Sequence, residues 1–213
     1  MRKRIVITGL GIMAPNGHGL VEYEQALRAG RSGIRFIPQL KELGFACQVA
    51  GVPQNFEELC KQYFDAEDML SVNDNIGYAC IAAIDAWRDA GFTVPKPDST
   101  EVDWDTGAIM GSGIGGMDTI AGQVVPKVNE HQIRRMGSTV VQMVMNSSTS
   151  AKIAGMLALG NQVTSNSAAC STGNEAIIDS MVRIRNGLAK RMIAGGSEGS
   201  SPYIWAGFDS MRV

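Results

Sequence analysis

The chain has 213 residues, a net charge of −2 and a hydrophobic content of 45%, so it is long and apolar enough to bury one substantial core. The small net charge gives no reason to expect a nucleic acid as partner. The four cysteines lack CxxC spacing and the two histidines lie far from them in sequence, which argues against a metal site or a disulfide framework and favours reduced thiols in the cytoplasm.

The first residues, MRKRIVITGLGIMAPNG, are basic and then apolar, as at the start of a signal peptide. Thr8, two glycines and Pro15 interrupt the apolar run and no cleavage region follows, so we expect no secretion signal. No segment is apolar over the length that a bilayer requires, so we also expect no membrane span.

The chain begins with a predicted strand and a predicted helix. Residues 4–8 form an apolar run before Gly9 and are predicted to be a short buried strand. Residues 19–34 have a helical pattern with Gly30 as a C-terminal stop. The residues that can share one face of this helix are Val21, Tyr23, Ala26 and Leu27. Residues 36–68 show no sustained period and are predicted to be strands and loops at the surface.

The middle of the chain predicts a long helix, a loop and a strand. Residues 73–91 are the strongest early helix, because apolar side chains recur at helical spacings and Gly91 can end it. The apolar face of this helix contains Ile76, Ala79, Cys80, Ala83, Ile84 and Trp87. Residues 94–103 are predicted to be a loop, and residues 106–117, TGAIMGSGIGGM, a buried strand that opens into a glycine-rich turn.

The last part of the chain alternates helices with strands. Residues 118–160 carry helical segments, after which we predict a strand at 162–167, a helix at 170–186 and a strand at 191–198. The tail, residues 202–213, shows no closing element. Strands that alternate with helices predict an α/β layered fold with a mainly parallel sheet in one domain.

Two glycine patterns follow predicted strands, GLGIMA at residues 9–14 and GSGIGG at residues 111–116. Both resemble the loop that holds a dinucleotide pyrophosphate. The first runs into Pro15 rather than a helix, and neither is accompanied by an acidic residue that clearly ends the next strand. Tight turns between closely packed elements are therefore the favoured interpretation, and we expect no cofactor.

Cys170 lies in NQVTSNSAACSTGNEAI, where a strand-like run passes through small residues into a helical pattern. A lone cysteine among Ala and Ser is by default a small buried side chain. Against this, a helix N-terminus favours a thiolate and can hold a developing oxyanion, and small neighbours permit the sharp turn that exposes a nucleophile. From the residues alone, a packing role and a nucleophilic role both remain open.

The other candidate residues have weaker support. Cys80 lies on the apolar face of the helix at 73–91 and is predicted to pack, while Cys47 and Cys60 have no supporting context. His18 and His131 lie in polar surroundings and are interpreted as surface residues. The basic residues near the end could form a patch for an acidic partner, with a solvated helix face as the favoured alternative. These residues are Arg183, Arg185, Lys190 and Arg191.

Several motifs occur in a familiar order along the chain. They are KRIVITGLGIMAPNG near the start, GRSGI at residues 30–34, GSGIGG at residues 111–116, SAACSTGNEAI around Cys170, and AGGSE followed by GFDSM. Together they closely resemble the β-ketoacyl-acyl carrier protein synthases, the condensing enzymes of the thiolase superfamily. Each motif alone is weak, but their order and spacing along nearly the whole chain are specific.

The resemblance implies a fold and a reaction. Residues 1–213 would form the N-terminal half of a thiolase-like, duplicated α/β/α architecture, usually dimeric, as a homodimer or a heterodimer. The reaction is a decarboxylating Claisen condensation between an acyl-thioester and malonyl-acyl carrier protein, with acyl carrier protein as partner. Cys170 would be the acylated nucleophile, its backbone N–H would contribute to the oxyanion hole, and Ile114 would line the acyl pocket. No metal and no cofactor is implied.

Three departures from the family pattern accompany the resemblance. The family takes two catalytic histidines from its second half, and neither His18 nor His131 lies in a matching motif, so we expect the chain alone to be inactive. Many elongating members have a histidine where this chain has Glu175. The segment GSTVVQMVMNSST also lacks the proline that fatty-acid members commonly carry. The last two differences favour a branch that builds polyene or polyketide-like chains.

Two alternative functions follow from the same residues. A non-catalytic partner subunit resembling a chain-length factor would bind carrier protein within a ketosynthase heterodimer, but family partners of that kind characteristically replace the cysteine. A nucleotide-binding α/β oxidoreductase would need the glycine motifs to contact a cofactor.

Overall fold

The computed structural model describes residues 4–97 and 99–212. The elements of the first half are β1 (Met13–Ala14), β2 (Gly17–His18), α1 (Gly19–Arg28), β3 (Ile34–Phe36), α2 (Pro38–Glu42), β4 (Val49–Gly51), α3 (Phe56–Tyr63) and α4 (Asp74–Asp89). The elements of the second half are β5 (Thr106–Gly111), α5 (Met117–Thr119), α6 (Val125–Asn129), α7 (Val140–Val144), α8 (Ser148–Met156), β6 (Val163–Thr164), α9 (Thr172–Arg185), β7 (Arg191–Gly196) and α10 (Pro202–Ser210). Short 3-10 or π turns lie at Asp68–Ser71, Ile120–Val124 and Ile133–Arg135.

The central sheet has three parallel strands in the order β6-β5-β7. Strand β5 is buried along its whole length, because it lies between the other two strands and is covered on both faces. The connections β5–α8–β6 and β6–α9–β7 cross the sheet in opposite directions, so right-handed crossovers place α8 and α9 on opposite faces. Helix α4 then packs on α8 to complete one apolar core. The predicted α/β layered fold with a parallel sheet is confirmed.

Helix α4 follows its sequence pattern closely. The side chain of Asn73 accepts a hydrogen bond from the backbone N–H of Ile76 and caps the helix, and Gly91 ends it in the left-handed conformation, with φ of 83°. All six residues of the predicted apolar face are buried. The spacing of the apolar residues was enough to predict this helix, because most of its residues are buried against α3, α8 and the surrounding apolar core.

The glycines of the GLGIMA segment pack against α4. A Cβ atom at Gly9 would overlap the backbone carbonyl oxygen of Ala86, and one at Gly11 would overlap that of Ala82. Only glycine lets the two backbones approach this closely. The structure therefore gives this motif the packing explanation that the sequence favoured.

Residues 4–8 differ from their prediction. They form no strand, and Val6 and Ile7 are 65% and 74% exposed. A strand requires a neighbour to satisfy its backbone N–H and C=O groups, and within the described ranges no strand pairs with this segment. The prediction of a buried strand is wrong for this chain because an apolar run does not reveal whether a partner strand is present.

Helix α1 and the segment after it also differ in part. Gly30 ends the helix at φ of 62° as predicted, but Ala26 is the buried residue of the helix, while Val21 and Leu27 are exposed. The region 36–68 contains helices α2 and α3 as well as the antiparallel pairing of β3 with β4. Short helices of five and eight residues carry too few turns to produce a recognisable period.

The tail closes with a helix that the sequence interpretation missed. Ser201 caps α10 by accepting a hydrogen bond from the N–H of Tyr203. Near its other end, both oxygens of the Asp209 carboxylate accept hydrogen bonds, from the N–H groups of Ala46 and Cys47 at 3.0 and 2.8 Å. Proline after a capping serine was the available signal for this helix.

Two further findings concern the whole described chain. None of the helices in the described ranges is long and apolar enough to cross a membrane. All four cysteines are free thiols.

Candidate active site

Three turns meet at the edge of the sheet where its strands end. Residues 112–116 follow β5, residues 165–171 follow β6, and residues 197–201 follow β7. Because parallel strands end at the same edge, these connections lie side by side. The Ser167 hydroxyl donates to the carbonyl of Gly113 at 3.3 Å, and the N–H of Ser197 donates to the carbonyl of Gly111 at 3.0 Å. The edge is therefore one hydrogen-bonded unit.

Cys170 is exposed within this unit. Helix α9 begins at Thr172 rather than at residue 170, so the thiol lies immediately before the N-cap residue, Ser171. Ala169 precedes it in the left-handed conformation, with φ of 49°. This conformation is costly for a residue with a Cβ atom and is concentrated at functional turns. The thiol thus lies between a left-handed residue and the start of a helix, an arrangement that resembles the turn of a nucleophile elbow.

Backbone bonds close the Cys170 turn. The N–H of Ser171 donates to the carbonyl of Ala168, and the N–H of Thr172 donates to that of Ala169, both at 3.1 Å. The Asn166 amide donates to the carbonyl of Thr172 at 3.0 Å. The Asn166 Oδ1 atom is buried and has no hydrogen-bond partner in the described part of the chain.

Ile114 lies in the turn after β5 and is 44% exposed. Its neighbour Gly113 is adjacent to the Cys170 turn, since a Cβ atom on Gly113 would lie 3.7 Å from the Cα of Ala169. The two residues named by the resemblance are thus brought onto neighbouring turns. The role of Ile114 in an acyl pocket stays a prediction.

Glu198 is a site residue that sequence reasoning did not single out. Its Oε1 atom accepts from the N–H of Gly113 at 2.5 Å, and its Oε2 atom accepts from the hydroxyl of the buried Ser112 at 3.1 Å. The carboxylate therefore links the turn after β7 to the turn after β5. The available signal was the acidic residue of AGGSE, which lies two residues after the end of β7.

The histidines lie in other settings. The side chain of His18 is 25% exposed, and its Nε2 atom pairs with Asp85 at 2.9 Å, a partner that the sequence interpretation did not anticipate. Tyr63 donates to the same carboxylate at 2.7 Å, and burial together with this bond raises the pKa of Tyr63 to about 12. His131 is exposed in the loop after α6. Neither side chain bonds to the Cys170 turn within the described ranges.

The four thiols differ in how deeply they are buried. Cys80 is fully buried on α4, as predicted, and burial raises its pKa strongly. Burial, followed by the charges of Asp74 and Glu57, raises the pKa of Cys60 to about 11. Neither buried thiol is readily ionised, which leaves Cys47 and Cys170 as the exposed thiols. Of these, Cys170 alone lies at the sheet edge.

Two of the four residues of the basic patch are paired with carboxylates of the chain, and a third is bonded to an amide oxygen. Arg183 donates twice to Asn161 Oδ1, at 3.0 and 2.8 Å. Lys190 pairs with Asp105 at 2.7 Å, and Arg191 with Asp103 at 2.9 Å. These partners do not support a surface for an acidic protein.

The parallel sheet between helical layers and the turn that carries Cys170 define a class, the α/β proteins of thiolase-like fold. The family described as "Beta-ketoacyl synthase, N-terminal domain" matches residues 2–213, and the chain belongs to this family.

Individual relatives agree with this assignment. The chain is 30% identical over 214 residues to a 3-oxoacyl-[acyl-carrier-protein] synthase 2 of Synechocystis, covering all of this chain and 50% of that protein. A β-ketoacyl synthase structure from Burkholderia phymatum aligns with a TM-score of 0.82 at 26% identity over 98% of this chain and 50% of that one. The ishigamide ketosynthase/chain length factor aligns with a TM-score of 0.84 at 25% identity over 99% of this chain and 51% of that one. The chain spans about half the length of the curated relatives it matches.

Proposed function

We propose that Cys170 is the acyl-accepting nucleophile of a 3-oxoacyl-acyl carrier protein synthase, whose N-terminal half is residues 1–213. The observation that carries this proposal is the exposed Cys170 thiol directly after the left-handed Ala169 and before the N-terminus of α9. Family membership supports the reaction class. The first turn of α9 supports stabilisation of negative charge beside the thiol, because its dipole favours anions.

The proposed reaction has two steps. The Cys170 sulfur attacks the carbonyl carbon of a carrier-bound acyl thioester; the new C–S bond replaces the old one, and the proton of the thiol passes to the departing phosphopantetheine sulfur. Malonyl-acyl carrier protein then loses carbon dioxide, and the electron pair of the broken C–C bond forms a carbanion. This carbanion attacks the acyl carbonyl, and the Cys170 sulfur leaves and is reprotonated.

The partner in both steps is an acyl carrier protein, and we expect no nucleic acid or cofactor in the reaction. Dimer formation is supported by the outer face of α9, where Ile177, Ile178 and Val182 are 48%, 47% and 44% exposed. The proposed dimer is a homodimer with a second copy or a heterodimer with a related chain. Glu175 in place of the common histidine favours a polyene or polyketide-like product. Among the described residues, neither His18 nor His131 is bonded to the Cys170 turn, so we expect that residues 1–213 alone do not complete condensation.

Covalent labelling tests the assignment. The natural full-length polypeptide is incubated with cerulenin, an acyl-mimic inhibitor that reacts with cysteine, and the adduct is mapped by mass spectrometry. We expect labelling on Cys170, its loss in Cys170→Ala, and its retention in Cys47→Ala, which removes the other exposed thiol. Labelling that persists in Cys170→Ala would overturn the nucleophile assignment.

The structural neighbour described as a ketosynthase/chain length factor provides a second candidate, a non-catalytic partner subunit. Retention of Cys170 argues against it. The two candidates differ in one measurement, since condensation by the assembled enzyme should end in Cys170→Ala if this chain is the ketosynthase and should continue if this chain only shapes the product.

A further inference from the structure

Thr172 is buried at the start of α9, with 3% of its surface exposed. Its hydroxyl oxygen accepts a hydrogen bond from the N–H of Ala168 at 2.8 Å and donates one to the carbonyl of Ala169 at 2.7 Å. Its methyl group faces Gly111 at the end of β5, where a Cβ atom would overlap it. The side chain therefore spans the two residues that precede Cys170 and is itself fixed against the sheet.

The carbonyl of Ala169 and the N–H of Cys170 belong to one planar peptide group. A hydrogen bond that fixes the direction of the carbonyl also fixes the direction of the N–H, which points the opposite way. The same bond helps to hold Ala169 in its left-handed conformation, with φ of 49°. The N–H of Thr172 also donates to this carbonyl, at 3.1 Å, so loss of the hydroxyl leaves the Ala169–Cys170 peptide with one donor instead of two. The peptide can then tilt toward more favourable backbone angles and turn the Cys170 N–H away from its native direction.

We propose that Thr172 is a positioning residue that aims the Cys170 backbone N–H at the developing oxyanion during acyl transfer. This inference rests on the proposed function of Cys170. The inference can be tested by comparing two reactions of the thiol. Alkylation depends on the exposure and ionisation of the thiol and forms no oxyanion, whereas acylation passes through a tetrahedral oxyanion that needs a correctly oriented donor.

The test compares the two reactions in the natural full-length polypeptide. Cys170 alkylation by iodoacetamide and Cys170 acylation by an acyl-pantetheine thioester are both followed by mass spectrometry, with alkylation of the exposed Cys47 as internal reference. In Thr172→Val, which keeps the shape and removes the hydroxyl, we expect acylation to slow by about tenfold or more and alkylation by less than about threefold. Thr172→Ser should restore acylation to within about threefold of the native rate.

Ser171→Ala supplies the matched control. The Ser171 hydroxyl donates to the carbonyl of Ala168 at 2.8 Å within the same turn and forms no hydrogen bond with the Ala169–Cys170 peptide in the described part of the chain. We expect this variant to acylate at close to the native rate. Thr172→Ala repeats the hydroxyl deletion with a smaller side chain if valine prevents folding.

The possible failures are distinct. Absence of acylation on Cys170 in the native protein overturns the proposed function and this inference with it. Native acylation that is unchanged in Thr172→Val, or acylation and alkylation that fall equally, overturns the positioning role alone.

Discussion

The two ends of the central sheet are built differently. At the edge where the strands begin, which we call the anchored end, Asp103 accepts hydrogen bonds from the hydroxyl of Thr106, the guanidinium of Arg191 and the N–H of Asp105 at 2.6, 2.9 and 3.0 Å. Arg191 also stacks over Phe92 at 5.2 Å. At the edge where the strands end, which we call the Cys170 end, small side chains and strained backbone surround an exposed thiol.

The carboxylates at the two ends have opposite pKa shifts. Burial alone would raise the pKa of Asp103, but hydrogen bonds from Thr106, Arg191 and Asp105 outweigh it and hold this pKa below its usual range. Asp74 contacts the turn after β7 through Ser200, and burial followed by the charge of Asp118 raises its pKa to about 6. The charge of Asp103 is therefore stabilised at the anchored end, whereas the charge of Asp74 is penalised beside the turn after β7. The first carboxylate contributes to the free energy of unfolding at neutral pH, and the second reduces it.

The largest expected effect belongs to Cys170→Ala. Among the described residues, no other exposed thiol lies at the edge where the strands end. The rate of condensation by the full-length polypeptide should therefore fall by about 10³-fold or more. The free energy of unfolding should change by less than about 0.5 kcal/mol, since the side chain is exposed. A large loss of stability in urea unfolding would contradict the interpretation that the anchored end stabilises the fold and that the Cys170 thiol does not.

The anchored end is tested by Asp103→Ala. Removal of the carboxylate leaves Arg191 and Thr106 without their shared acceptor, and we expect about 2 kcal/mol of destabilisation at pH 7 in urea unfolding. Alkylation of Cys170 in the folded protein should stay at the native rate. The depressed pKa means that this contribution is present above the ordinary aspartate value of about 3.9 and is lost as the pH falls below it.

The difference in the free energy of unfolding between the native protein and Asp103→Ala should therefore become smaller in acid. A difference that instead grows below about pH 4 would show that Asp103 does not act through its charge.

We expect Asp74→Asn to stabilise the protein at neutral pH, whereas Asp103→Ala destabilises it. A carboxyl with a raised pKa contributes its stability below the unfolded value, and that contribution is lost as the pH rises through about 6. The neutral amide of asparagine does not ionise and avoids this loss. We therefore expect the free energy of unfolding, measured in urea, to rise by about 1–2 kcal/mol at pH 7.5 and to change very little at pH 4. Asp118→Asn, which removes only the neighbouring charge, is the control and should give a smaller gain. Destabilisation by Asp74→Asn at both pH values would contradict the proposed difference between the Asp103 and Asp74 carboxylates.

The smallest effect is expected for Glu198→Ala. The Gly113 N–H loses its acceptor, but water can replace an exposed carboxylate, so acylation of Cys170 should slow by only about threefold. Glu198→Gln keeps a carbonyl oxygen for this N–H and should stay within about twofold of native. Equal rates in all three proteins would show that the turn after β5 is held without Glu198.

Local patterns predicted much of the structure. The apolar spacing and terminal glycine of α4, the buried strand β5 and the junction at Cys170 each depend on residues close together in sequence. Residues 4–8 were mispredicted because strand formation depends on a distant partner. Glu198 was missed because its two hydrogen bonds reach residues more than eighty positions earlier in the chain.

By itself, the sequence determined the alternation of strands and helices, the family, and the position of a cysteine at a strand–helix junction, because period, glycine placement and motif order are local properties. Only the tertiary structure decided that Cys170 is exposed while Cys60 and Cys80 are buried, since burial depends on which elements pack together. It also decided that Ala169 is left-handed and spanned by the Thr172 hydroxyl. Backbone angles and hydrogen-bond partners are set by the packed sheet edge, and residue identities alone do not specify them.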